Sequence, residues 1–100
     1  MLVLTRARVP AEAADAFRTA AEDLLGLLSA LPGFVRSHLG RAADDPELWV
    51  VASEWDGVGS YRRALSSYDV KMTAPAVMAY AVPESSAFEV LAAKSVAADR

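Results

Sequence analysis

One hundred residues, of which 54% are apolar and 23% charged, suit one globular domain, long enough to bury a core and too short for two. Ten basic against thirteen acidic side chains leave a formal charge of -3, which argues against an electrostatic footprint for nucleic acid. The lack of cysteine excludes disulfides, thiolate metal sites and cysteine nucleophiles together.

The chain opens on MLVLTRARVP, which has no basic segment, apolar run and small-residue cleavage site in the order of a secretory signal. Leu2 to Val9 instead reads as a first strand, stopped by Pro10. From Ala11 to Leu31 the apolar residues Phe17, Ala20, Ala21, Leu24, Leu27, Leu28 and Leu31 recur every three or four positions, which predicts an amphipathic helix closed by Pro32 and Gly33. Phe34 to Arg41 follows as a second strand, Ala42 to Glu47 supplies turn residues, and Leu48 to Trp55 reads as the third strand of an antiparallel hairpin. Asp56 is placed to cap a helix through Gly57 to Tyr68. Asp69 to Glu84 is the least regular part, an apolar segment bracketed by Pro75 and Pro83. Ser86 to Ala93 reads as a last strand, so the domain spans residues 1–93 and residues 94–100 form a tail. No stretch reaches the roughly 18 apolar residues needed to span a bilayer, so the expectation is a cytoplasmic protein with no membrane or nucleic-acid partner.

Strand, helix, strand, strand, helix, strand is the order of an α+β, ferredoxin-like βαββαβ fold: a four-stranded antiparallel sheet with helices on one face. Both faces of the first and third strands carry apolar residues. Leu2 and Leu4 alternate with Val3, Thr5 and Ala7, and Leu48, Val50 and Ala52 with Trp49, Val51, Ser53 and Trp55. A sheet apolar on both sides needs a second cover, and a homodimer joined through the open sheet face is expected.

Little of the usual catalytic machinery is present. The single histidine, His38, lies on the second strand, where strict alternation puts it on one face with Phe34 and Arg36. No G-x-S-x-G stretch accompanies it. A metal site would need one histidine plus carboxylates, and Asp44 to Glu47 is better read as a solvated turn, so none is expected. Gly57-Val58-Gly59-Ser60-Tyr61-Arg62 lacks the third glycine of a dinucleotide loop and reads as a helix entry. What remains is an aromatic and hydroxyl set. Trp55 ends the third strand and Tyr61 lies in the first turns of the next helix, so the two can border one cavity between helix and sheet.

The strand ending in Val9-Pro10, the helix ending in Leu31-Pro32-Gly33-Phe34, and Trp49 to Trp55 followed by Asp56 and by Ser60-Tyr61-Arg62-Arg63-Ala64-Leu65 resemble the antibiotic biosynthesis monooxygenase domain over roughly residues 2–92. The resemblance implies a dimeric α+β barrel. Its heme-degrading members use an asparagine, a tryptophan and a histidine at positions that here hold Thr5, Ala64 and Thr73, so no proximal iron ligand and no cofactor is implied. Its polyketide oxygenases contact substrate through a tryptophan and a tyrosine, matched by Trp55 and Tyr61, and an asparagine, replaced by Val51. The activity implied is oxidation of a phenolic or hydroquinone-like aromatic by dioxygen without a cofactor; the alternative is a dimer of this fold that binds a small molecule without catalysis. Trp55, Tyr61 and His38 are the expected catalytic residues, His38 because imidazole alone titrates near neutrality. Thr5, Val51, Phe17, Leu24, Tyr68, Met72 and Met78 are the expected walls for a small aromatic ligand.

Overall fold

In a computed structural model, which describes residues 1–96, β1 (Leu2–Arg8) leads through a 3-10 turn (Ala11–Ala13) into α1 (Ala14–Ser29). Then come β2 (Phe34–Ala42), β3 (Asp45–Trp55), α2 (Val58–Leu65), α3 (Tyr68–Met78) and β4 (Ala87–Phe88). The sheet order is β2-β3-β1-β4 with every pair antiparallel, the ferredoxin-like arrangement expected from the element order. The sheet is open rather than closed on itself. Among the described residues no helix is long and apolar enough to cross a membrane.

The core lies between the sheet and the helices. Val3 and Ala7 of β1 and Trp49, Val51, Ser53 and Trp55 of β3 are buried there, because successive side chains of a strand point to opposite sides. From α1, Phe17, Ala21, Leu24 and Leu28 are buried at helical spacing, each large side chain worth about 1.5–3 kcal/mol. On the other face Leu2, Leu4, Leu48 and Val50 stay partly exposed.

Three local features depart from the expected pattern. The β2–β3 register shifts between Phe34 and Arg36: Phe34 pairs with Trp55, and Arg36 with Glu54. Val35 is thus the extra residue of a bulge, and an extra residue reverses the alternation. Phe34 therefore faces the helices with Trp55, while Arg36 and His38, the latter opposite Ala52, face the open side. Second, the hairpin turn is only Ala43 and Asp44, and β3 begins at Asp45 and includes Pro46. The β1 ladder starts at Leu48, so Pro46 lies where a missing N–H is tolerated. Third, β4 is two residues long rather than Ser86 to Ala93. Ala87 pairs with Val3 and Phe88 with Leu2, the first two residues of β1. Residues 97–100 of the expected tail lie outside the described residues.

The helices after β3 also differ from expectation. Asp56 does not cap α2, whose N-cap is Gly57 with no side-chain cap bond; its Oδ1 instead accepts a hydrogen bond from Ser60 Oγ at 2.6 Å. The helix expected through Tyr68 stops at Leu65, and Tyr68–Met78 forms a second one, α3, that passes through Pro75. Proline removes one helical hydrogen bond. Burial of Val70 and Val77, two turns apart on the cavity side of α3, offsets that loss.

Gly33 joins α1 to β2 at φ 87°, a conformation that disfavours any side chain. A methyl there would also collide with Ser60 Oγ and Cβ and approach Asp56 Oδ1 to 2.7 Å. Gly33→Ala is expected to cost about 2–3 kcal/mol, roughly 10 °C or more in Tm for a domain of this size. Thermal melting by circular dichroism checks it; an unchanged Tm would contradict the tight packing of this turn.

Candidate functional site

Along its helix-facing side β3 presents Trp49, Val51, Ser53 and Trp55, two large rings with two small side chains between them. The β1 ladder sets Ala7 opposite Trp49, Thr5 opposite Val51 and Val3 opposite Ser53. Each indole anchors an aromatic cluster. Phe17 packs edge-on against Trp49 at 5.4 Å and against Tyr80 at 5.7 Å. Phe34 meets Trp55 edge-on at 5.5 Å, and Tyr61 lies tilted against it at 6.1 Å.

Between the two clusters is a cavity of about 230 Å³. Val3, Thr5, Val51 and Ser53 form its floor, and their small size is what leaves the space open. Leu24, Leu25 and Leu28 of α1 and Val70, Ala74 and Val77 of α3 form the walls, with Tyr61 from α2 and Ser86 from the segment before β4. Leu65 and Met78 also line it while remaining about half exposed, so they mark its mouth.

Among the described residues, four hydroxyls, those of Thr5, Ser53, Tyr61 and Ser86, are the only polar side-chain groups of that lining, and no acidic, basic or imidazole side chain belongs to it. Burial pushes the Tyr61 phenol above its ordinary value, since desolvation disfavours the phenolate. Near neutral pH Tyr61 is therefore a hydrogen-bond donor and not a base. Ser53 is 5% exposed and its Oγ accepts a hydrogen bond from Trp55 Nε1 at 2.9 Å. The other buried indole N–H, that of Trp49, has no hydrogen-bond partner among the described residues.

Of the residues expected from sequence, Tyr61, Thr5, Val51, Leu24 and Met78 come together around this cavity. Trp55 stands behind the wall: it is 2% exposed, touches Tyr61, and its one polar group is engaged by Ser53. Phe17 lies instead in the Trp49 cluster. Tyr68 and Met72, one turn apart on the outer side of α3, are 73% and 64% exposed and are not part of the lining. His38 is on the opposite sheet face, in a shallow depression with Leu2, Arg36 and Glu54, because the Val35 bulge reverses the alternation. Ser53 is the polar residue that the sequence reading passed over, although its even spacing from both Val51 and Trp55 signals a shared face. Among the described residues no three potential metal ligands cluster.

The family model for antibiotic biosynthesis monooxygenase matches residues 1–76. No curated protein sequence matches the chain. Among solved structures, SnoaB from Streptomyces nogalater, described as a cofactor-independent oxygenase, is 24% identical with a TM-score of 0.78, covering 98% of this chain and 96% of its own. A candidate antibiotic biosynthesis monooxygenase from Deinococcus radiodurans is 16% identical with a TM-score of 0.80, covering 96% of this chain and 98% of its own. A conserved protein from Methanosarcina mazei is 19% identical with a TM-score of 0.74, covering 83% and 82%. At these identities the structural likenesses concern the fold.

The direction of the Tyr61 shift gives a titration test. Tyrosinate absorbance should contain a component above the ordinary phenol value of about 10, and Tyr61→Phe should remove it. The native state holds this proton more tightly than the unfolded chain, so its contribution to stability is full below the unfolded phenol value and is lost as pH rises through the folded one. A Tyr61→Phe titration superimposable on the parent's would contradict the assignment.

Proposed function

The chain belongs to the antibiotic biosynthesis monooxygenase family, and from that premise we propose that it is a cofactor-independent monooxygenase acting on a small phenolic or hydroquinone-like aromatic. The observation that carries this reading is the cavity between sheet and helices, with Tyr61 in its wall and the Trp55 ring packed behind. An apolar pocket with a few hydroxyls suits a flat aromatic with one or two oxygen atoms.

The chemistry asks little of the protein. A phenolate passes one electron to dioxygen, and the resulting radical and superoxide join in a carbon–oxygen bond at a ring carbon. Protonation of that peroxide and loss of water leave a quinone carbonyl, so one oxygen atom enters the product and the other leaves as water. The cavity contributes by holding the ring, excluding bulk water and donating a proton or hydrogen bond from Tyr61 to the peroxide oxygen. It offers no side-chain base, so the substrate's own acidity must supply the anion.

That same lack of a base, together with the apolar Val51, favours the second reading, a dimer of this fold that binds a small molecule without turning it over. Oxygen uptake with a panel of anthrones and hydroquinones separates the two. For the enzyme, uptake exceeds the uncatalysed rate and Tyr61→Phe lowers kcat about 10- to 100-fold, at or below the low end of general acid catalysis. The ascending limb of the pH profile should move with substrate pKa and stay in place in Tyr61→Phe. Binding without uptake above background would leave only the second reading.

We also propose that the working unit is a homodimer closed through the open sheet face. Leu2, Leu4, Leu48 and Val50 leave apolar surface there beside the Arg36–Glu54 ion pair at 2.6 Å, and a second copy related by a two-fold axis would cover it. His38 would then be an interface residue. Sedimentation equilibrium at micromolar concentration should return a dimer, with Val50→Lys shifting it to monomer; a parent that sediments as a monomer would refute the arrangement.

A further inference from the structure

We propose that Ser53 is the hydrogen-bond donor that selects the guest of the cavity, that Trp55 is the positioning residue that aims it, and that the guest is a neutral one- or two-ring aromatic bearing a carbonyl-type oxygen. This deepens the reading of that cavity as the ligand site and rests on it.

Ser53 Oγ accepts from Trp55 Nε1 at 2.9 Å. A hydroxyl has one proton to give, and with the indole N–H on one side of the oxygen that proton is directed elsewhere. None of the side-chain hydrogen bonds among the described residues uses it. Ser53 lies on the cavity floor and is 5% exposed, whereas Thr5, Tyr61 and Ser86 are only partly buried and can be met by water. A buried donor left unmet is costly, so a guest that brings an acceptor gains more here than at an exposed hydroxyl, and a guest of equal shape without one forfeits that gain.

The indole makes the serine directional. Trp55 is itself immobilised between Phe34 and Tyr61, so its N–H is a fixed donor that holds the serine oxygen in one rotamer. The rest of the lining sets charge and size. With no acidic, basic or imidazole side chain in the lining, nothing compensates a buried carboxylate or ammonium, whose desolvation is expensive. A space of about 230 Å³ lies below the ~300–1,000 Å³ typical of drug-sized ligands, which points to one or two fused rings.

The test pairs α-tetralone, which carries a carbonyl, with tetralin, which has the same ring frame and no acceptor, and adds 1-naphthoate as the anion, each titrated calorimetrically into the full chain. The parent should bind tetralone about three- to tenfold more tightly than tetralin, the range of one net hydrogen bond, and 1-naphthoate at least about tenfold more weakly than tetralone. Ser53→Ala should bring the tetralone-to-tetralin ratio close to one while tetralin affinity stays within about twofold, which also demonstrates that the variant is folded. Ser53→Thr, which keeps the hydroxyl, should keep a ratio above one, and Trp55→Phe should lower it, an effect that loss of packing alone would not produce. An unchanged ratio in Ser53→Ala would overturn the assignment of Ser53, and naphthoate binding as tightly as tetralone would overturn the neutral-guest assignment. Ala74→Phe, which fills the cavity, distinguishes the two levels: if it abolishes tetralin binding while Ser53→Ala leaves the ratio intact, only this inference fails. If Ala74→Phe leaves binding unchanged, or the parent binds neither probe, the cavity is not the site and both readings fall.

Discussion

The alternation of β3 is the constraint on which the rest of the structure depends. Trp49, Val51, Ser53 and Trp55 share one face, so two indoles stand six residues apart, roughly 20 Å at the rise of a strand, with small side chains between. The register against β1 adds Ala7, Thr5 and Val3 across from Trp49, Val51 and Ser53, none of which is bulky enough to fill the gap. The two aromatic clusters therefore act as posts under the helices, and the hollow is the consequence of what stands between them. A one-residue slip of β1 on β3 would turn these residues to the open face and remove the core and the cavity together.

Much of this was legible in the sequence because it rests on period. The α1 stripe of Phe17, Leu24 and Leu28 follows from helical spacing, and the shared face of Trp49 and Trp55 from even strand spacing. Tyr61, Thr5, Val51, Leu24 and Met78 accordingly meet at one cavity. What escaped the reading lies where period is interrupted or overridden. Val35 inserts one residue against β3 and sends His38 to the open side, and no local signal in Phe34-Val35-Arg36 announces it. α3 runs through Pro75 because burial of Val70 and Val77 outweighs a lost backbone bond, a tertiary effect that propensity does not contain. The same helix shows why Tyr68 and Met72 were misplaced: without knowing that Val70, Ala74 and Val77 face inward, the rotation of the helix is undetermined.

Trp55 illustrates how a residue can be central to a site without touching what the site holds. Its ring is enclosed between Phe34 and Tyr61, and its only polar atom is engaged by Ser53. Large aromatic rings with one polar handle are well suited to this work, since the ring fixes the position of the handle through packing. Trp49 occupies the matching place at the other end of the row, yet its N–H has no partner among the described residues and its ring is covered by Arg41 at 5.0 Å. The two indoles are alike in burial and differ in what their nitrogen meets. Only the one beside the serine can transmit a constraint to the cavity floor.

The composition of the lining divides the chemistry between protein and guest. Hydroxyls alone can donate to an oxygen that gains electron density, but none of them removes a proton at neutral pH, least of all Tyr61, whose phenol is held above its ordinary value by burial. A reaction in such a space must draw on the ionised fraction of a guest that binds neutral, and it gains from the protein only what fixed donors and exclusion of water provide. An apolar cavity also raises the cost of the anion on which that reaction depends. Donors aimed at the developing negative oxygen offset this cost, and the buried serine, with one lone pair taken by an indole and its proton free, meets that requirement more directly than the three less buried hydroxyls.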